Sequence, residues 1–101
     1  MRVSKQLSPD GKHLTIKVTG RFDFSLHEEF RKAYEGMGPN GTSFQIDLGG
    51  TEYIDSAACG MLLVFRDAVG GDHADISIVH ASPVIKKTLQ LLQFQRLFKI
   101  T

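Results

Sequence analysis

A repeated change of hydrophobic period constrains this chain more than any other feature. Leu14, Ile16 and Val18 alternate with Thr15, Lys17 and Thr19, the period-2 signature of a strand with one buried face. Ahead of it, Ser8-Pro9-Asp10-Gly11 carries the residues of a tight turn, and Val3 and Leu7 mark a weaker edge strand, so the chain opens with a β-hairpin. Gly20 is expected to end the second strand. The period then lengthens: Leu26, Phe30, Ala33, Tyr34 and Met37 form a helical stripe, with Ser25 and Glu28 spaced as a capping box and a glycine-rich turn from Gly36 to Gly41 as its stop. Ser43 to Leu48 reads as a strand, and Ala74 to His80 as another. A helix running from Ser56 separates them, and Gly49-Gly50 and Gly70-Gly71 read as turns. Ser82-Pro83 supplies a cap and a first-turn proline for a third helix with Ile85, Thr88, Leu89 and Leu92 as its core stripe. A short strand is expected at Leu97 to Ile100. Strands separated by helices imply an α/β fold: a mixed, mostly parallel sheet of four to five strands with an antiparallel N-terminal hairpin and helices packed on it.

At 101 residues the chain makes a single domain, one that hides about 60 to 65% of its unfolded surface in one core. Twelve Lys and Arg face 11 Asp and Glu, a net charge of +1 with the charges scattered. That distribution offers no basic stripe to nucleic acid or to an anionic membrane, and points to a protein partner. Cys59, the only cysteine, has no internal disulfide partner, and Met1 is followed by a polar segment instead of an apolar leader, so a cytoplasmic location is expected. The longest apolar run, Met61 to Phe65, is closed by Arg66 and Asp67; it falls far short of the ~20 residues that span a bilayer, so no membrane insertion is expected.

Enzyme chemistry finds little support. His13, His27, His73 and His80 sit at no metal-ligand spacing, and Cys59 has no second cysteine. Ser56 lacks the surroundings of a nucleophile elbow, and the paired glycines lack the Lys-Ser/Thr ending of a phosphate loop. Asp10, Asp23, Asp47 and Asp55 read as turn and cap acids. No catalytic residue, metal or cofactor is therefore expected, and a nucleotide hydrolase is a weak third reading with no residue set behind it.

The informative segment is Asp55-Ser56-Ala57-Ala58-Cys59-Gly60. Ser56 stands where an extended run gives way to a long apolar helix and is expected to be its N-cap. Small neighbours and Gly60 leave its hydroxyl uncrowded. At ~100° per residue, Ala58, Met61, Leu62, Phe65, Ala68 and Val69 share the core face, and Ser56, Cys59, Gly60, Leu63 and Asp67 share the other. A purely solvated face would carry Lys, Glu or Gln; Cys59 and Leu63 around Gly60 instead suggest a small apolar contact strip.

Three sequence stretches resemble the STAS family of anti-sigma-factor antagonists and sulfate-transporter domains: Gly20-Arg21-Phe22-Asp23, Ile46-Asp47-Leu48 with Tyr53-Ile54-Asp55-Ser56, and Ala58-Cys59-Gly60-Met61-Leu62. The resemblance covers nearly the whole chain. It implies the STAS fold and places Ser56 where the family carries the serine phosphorylated by a partner kinase and restored by a phosphatase. It also implies that the unmodified form captures an anti-sigma factor or another switch protein, with Asp23, Asp55, Cys59, Gly60, Leu63 and Asp67 as the expected contact residues. Ala57 stands where the family commonly has a second hydroxyl, which leaves Ser56 as the only acceptor in the motif. Phe22-Asp23-Phe24 and the stretch from Leu62 to Gly71 look most like single-domain members from gamma-proteobacteria that control motility and biofilm formation. A different role, also carried by STAS-like domains, is that of a small cytosolic subunit of a lipid or anion transporter docked on an ATPase.

Overall fold

The computed structural model describes residues 2–37 and 42–101. Five strands, β1 (Val3–Leu7), β2 (His13–Phe22), β3 (Ser43–Ile54), β4 (Asp75–Val79) and β5 (Lys99–Ile100), lie side by side in chain order. β1 is antiparallel to β2 and the rest are parallel. Three helices, α1 (His27–Tyr34), α2 (Ser56–Ala68) and α3 (Pro83–Leu91), supply the crossovers. This is the mixed, mostly parallel α/β sheet with an antiparallel N-terminal hairpin expected from the sequence.

The hairpin forms as expected: the Gly11 amide donates to the Ser8 carbonyl at 2.9 Å, and β1 pairs with β2 from Val3↔Val18 to Leu7↔Leu14. Leu14, Ile16 and Val18 are buried beside Phe44, Ile46 and Leu48 of β3 and Ile76 and Ile78 of β4, and all join one core with the helices. Phe65 of α2 is the node of that core. Its ring lies edge-on to Phe30 at 5.8 Å, Tyr34 at 4.9 Å and Phe44 at 5.5 Å, tying α1, α2 and the sheet together; each such pair is worth about 0.5 to 1.5 kcal/mol beyond its burial.

Several expected boundaries move. β2 does not stop at Gly20 but runs on to Phe22, and β3 does not stop at Leu48 but reaches Ile54. Gly49-Gly50 is therefore not a turn. The two strands stay paired because β3 gains one residue on β2 between Lys17 and Thr19 and another between Gly20 and Arg21. These irregularities are what the glycines serve: Gly20 takes φ +75, and a side chain at Gly50 would press within 2.8 Å of Thr19 Cγ2. The Ser25–Glu28 capping box does not form. Asp23 takes the cap, accepting from the Ser25 amide at 3.0 Å, and a 3₁₀ turn at Phe24–Leu26 delays α1 to His27.

Ser82 caps α3 as expected, accepting from the Ile85 amide at 3.3 Å. Leu92 is not core, however. α3 ends at Leu91, Gln93 turns the chain with φ +64, and Leu92 is left exposed while Phe94 and Phe98 take the buried positions. The last strand is accordingly shorter than expected, and a 3₁₀ turn at Phe94–Arg96 precedes it. Ala68, assigned to the core face of α2, is exposed. Of the turn expected at Gly36 to Gly41, residues 38–41 lie outside the described residues.

Candidate functional site

The site begins where β3 hands over to α2. Asp55 is extended (φ −119, ψ −178) and its Oδ1 accepts from the Ala58 amide at 2.9 Å, while its carbonyl accepts from the Cys59 amide at 3.1 Å. The N-cap is thus Asp55, not Ser56. An aspartate caps as well as a serine, and here its carboxylate reaches the first turn and leaves Ser56 as the first helical residue, exposed. The Ser56 hydroxyl is therefore not committed to the cap.

Asp23 is brought to the same end of the sheet. Phe22 and Ile54 are paired neighbours on β2 and β3, so Asp23 and Asp55 leave the sheet side by side. The Ser25 hydroxyl donates to Asp23 Oδ1, and Arg21 Nε lies 3.6 Å from its Oδ2. The Ser25 hydrogen bond chiefly holds the Asp23 carboxyl below the usual carboxylate range, against a smaller contribution from burial; Arg2 and Arg21 add to it. Arg2 in turn donates to Ser25 Oγ at 2.9 Å, and the Arg21 guanidinium lies 4.0 Å over the Tyr53 ring.

Along α2, Gly60 is half-buried, Leu63 is 38% exposed and Asp67 is exposed, so all three reach the surface that starts at Ser56. Cys59 does not. It is 6% exposed and belongs to the core. Seven residues on, Arg66 shares its flank of the helix and donates from Nε to the Leu97 carbonyl at 3.3 Å. Burial, and then the charge of Asp55, push the Cys59 thiol up, keeping it protonated and inert. Of the strip expected from the sequence, Ser56, Gly60, Leu63 and Asp67 reach the surface and Cys59 does not.

In place of Cys59 the structure exposes two apolar side chains that the sequence reading had not placed there. Phe24 is 65% exposed and Val64 60%. Phe24 follows the Asp23 cap in the 3₁₀ turn, outside the strand alternation that buries Phe22, and Val64 lies between the two helix faces assigned above, which is the signal that would have found it. No helix among the described residues is long and apolar enough to cross a membrane.

A mixed five-stranded sheet in chain order, with an exposed serine opening the helix after β3, defines a class of small α/β domain. Over residues 6–99 the chain matches the family model described as Mlab, STAS domain, and it belongs to the STAS domain family. It is 44% identical, over the full length of both chains, to a STAS-domain containing protein of Pseudomonas aeruginosa strain UCBPP-PA14. Among solved structures it is similar to a Thermotoga maritima protein assigned as an anti-sigma factor antagonist, with a TM-score of 0.78 at 16% identity, covering 97% of this chain and 84% of that one. It is also similar to the anti-sigma factor antagonist SpoIIAA in its unphosphorylated form, with a TM-score of 0.70 at 14% identity, covering 98% of this chain and 86% of that one. At these identities the structural likeness establishes the fold.

Proposed function

We propose that this protein is a phosphorylation-controlled binding switch, whose unmodified form captures an anti-sigma factor or a similar switch protein and releases it when a serine kinase modifies Ser56. A phosphatase resets it. The observation that carries this reading is an exposed, uncapping Ser56 on the first turn of α2, with the bare Gly60 next along the same surface. A phosphate there meets free first-turn amides and the positive end of the helix dipole, which tolerate its ~1.5 to 2 negative charges, so the fold survives the modification. The surface does not stay the same. A partner packed over Gly60 and Leu63 would face a bulky dianion beside Asp55 and Asp23, a mismatch on the order of several kcal/mol. At ~1.4 kcal/mol per tenfold in affinity, that suffices for release.

The test has two parts. Incubation with the cognate kinase should label wild type once and leave Ser56→Ala unlabelled; comparable labelling of Ser56→Ala rules out the assignment. Titration against the captured partner should place Ser56→Ala near wild type, because the hydroxyl contributes at most one hydrogen bond of ~0.5 to 1.5 kcal/mol. Ser56→Asp should bind more weakly, and the phosphoserine form most weakly of all. Tighter binding by either charged form reverses the mechanism. Recovery of a transporter ATPase in a pull-down, with no kinase or anti-sigma factor, favours the transporter-subunit role instead.

A further inference from the structure

We propose that the exposed flank of α3 is a docking strip for the surface of an anionic phospholipid bilayer. Ile85 and Leu89 turn one side of α3 into the core. The flank beside them carries Val84, Thr88, Leu91 and Leu92, spaced i, i+4, i+7, i+8, which sets them along one face of the helix. Val84 is 76% exposed and Leu91 73%, so neither finds cover on the domain, and Leu92 is exposed as well. The Thr88 hydroxyl donates back to the Val84 carbonyl at 3.2 Å, so the strip holds no polar side chain left needing water. Lys87 stands between Val84 and Leu91, three residues from one and four from the other, and is exposed; Lys86 lies beside it.

Charge selects the occupant. Residues 76–101 contain Lys86, Lys87, Arg96 and Lys99 and no Asp or Glu, whereas residues 1–75 contain eight Lys and Arg against 11 Asp and Glu. The near-neutral total of the chain therefore conceals a cationic stretch, and the fold sets an apolar strip within it. Among the described residues Lys99 pairs with Asp75, while Lys86, Lys87 and Arg96 have no carboxylate partner. The boundary of a bilayer with anionic headgroups offers what this arrangement lacks, fixed negative charge over an apolar layer. A protein surface fits less well. Contacts between proteins centre on Tyr, Trp, Phe, Met and Arg and are poor in Lys, and their hot spots are poor in Leu and Val, the residues of which this strip is made. At nine residues α3 is too short to cross a bilayer, so it would lie along the headgroups with Ile85 and Leu89 still packed in the core. None of these residues belongs to the surface around Ser56, so the docking strip stands apart from the switch.

The experiment is co-sedimentation of the full chain with vesicles of phosphatidylglycerol and phosphatidylcholine in equal parts, and in parallel with vesicles of phosphatidylcholine alone. The mixed vesicles should carry down half of the protein at a lipid concentration on the order of 1 mM. Neutral vesicles should bind about tenfold more weakly or less, and ~0.5 M NaCl should have the same effect on the mixed ones. Lys86→Gln combined with Lys87→Gln should weaken binding about 25-fold, at roughly fivefold per cation. Leu91→Gln should weaken it about tenfold, with an unchanged melting temperature because the position is exposed. The proposal is overturned by any of three results: no sedimentation with mixed vesicles up to about 10 mM lipid, equal binding to neutral vesicles, or undiminished binding by either variant. Capture of the chain by soluble poly-L-glutamate, with the same losses in both variants, would assign the strip to an acidic protein and overturns it equally.

Discussion

Gly60→Ala should stabilise this protein and, under the proposed switch, weaken its capture of a partner. Gly60 lies in the middle of α2, where a glycine costs ~0.8 to 1.0 kcal/mol relative to alanine through the backbone freedom lost on folding. Two structural terms would ordinarily cancel that gain, and both are missing. The backbone at Gly60 is not in the positive-φ region, and a Cβ built there meets no heavy atom within 4 Å. The full helix-propensity gain should therefore appear, about 1 kcal/mol. With a urea slope near 1 kcal/mol/M for a domain of this size, the unfolding midpoint should rise by about 1 M at unchanged slope, and Tm by roughly 4 to 8 °C. The added methyl stands on the surface that a partner would approach, so affinity for the captured protein should fall while stability rises. That is the trade expected where a helix keeps a glycine for contact. A midpoint that stays put or drops would show that α2 is not helical at Gly60 or that the position is crowded. A rise with unchanged partner affinity would remove Gly60 from the contact surface.

Three other expectations follow from the site. Asp55→Ala should lower stability by ~0.5 to 2 kcal/mol in a urea melt through loss of the cap, while Asp55→Asn, which still accepts from the Ala58 amide, should stay within ~0.5 kcal/mol. Cys59 should resist an aromatic disulfide reagent in the native state at pH 8, reacting only at the rate of opening, because its thiol is buried and pushed up; immediate labelling would put it at the surface. Asp47 should contribute to the acid limb of unfolding. Burial works to raise its carboxyl, but the Gly49 amide at 2.8 Å and the His80 imidazole at 3.2 Å outweigh it, so the folded carboxyl lies below the usual range. A lowered carboxylate stabilises the fold above its unfolded value of about 4 and loses that stabilisation as pH falls through the folded value. Asp47→Asn should therefore flatten the loss of stability on acidification, and an unaltered acid limb would refute the role.

The fold was legible because its signals are local and redundant. Leu14, Ile16 and Val18 on one side of a strand, and Phe30, Ala33 and Tyr34 on one side of a helix, each specify a period without outside help. Glycines misled where local meaning and context diverge: Gly20, Gly49 and Gly50 punctuate in isolation, but here they let one strand slip past another, and only the pairing partner reveals that. The cap was misassigned between two adjacent residues of equal capping ability, Asp55 and Ser56. Cys59 was misplaced because a helical wheel measures angle and not what covers it, and it is the packed core that takes this side chain in. Phe24 and Val64 escaped for the same reason, since exposure of an apolar side chain is a statement about absent neighbours.

The slippage in β3 bears on how a kinase would reach Ser56. β4 accompanies β3 only as far as Asp47↔Val79, whereas β2 follows it to Ile54. The stretch from Gly49 to Ile54 is thus laddered on one side alone, with two interruptions of register and two consecutive glycines within it. Segments held by few ladder bonds open at lower free energy than the body of a domain. The hinge so formed lies directly upstream of the helix start, where the first-turn amides have no partners within the helix. Drawing Asp55 and Ser56 into an extended conformation in an enzyme cleft therefore requires melting only a ribbon and the first turn of α2. Phe44 to Asp47, paired on both sides, would stay closed, and under the proposed switch a modified serine would return to a domain that never unfolded.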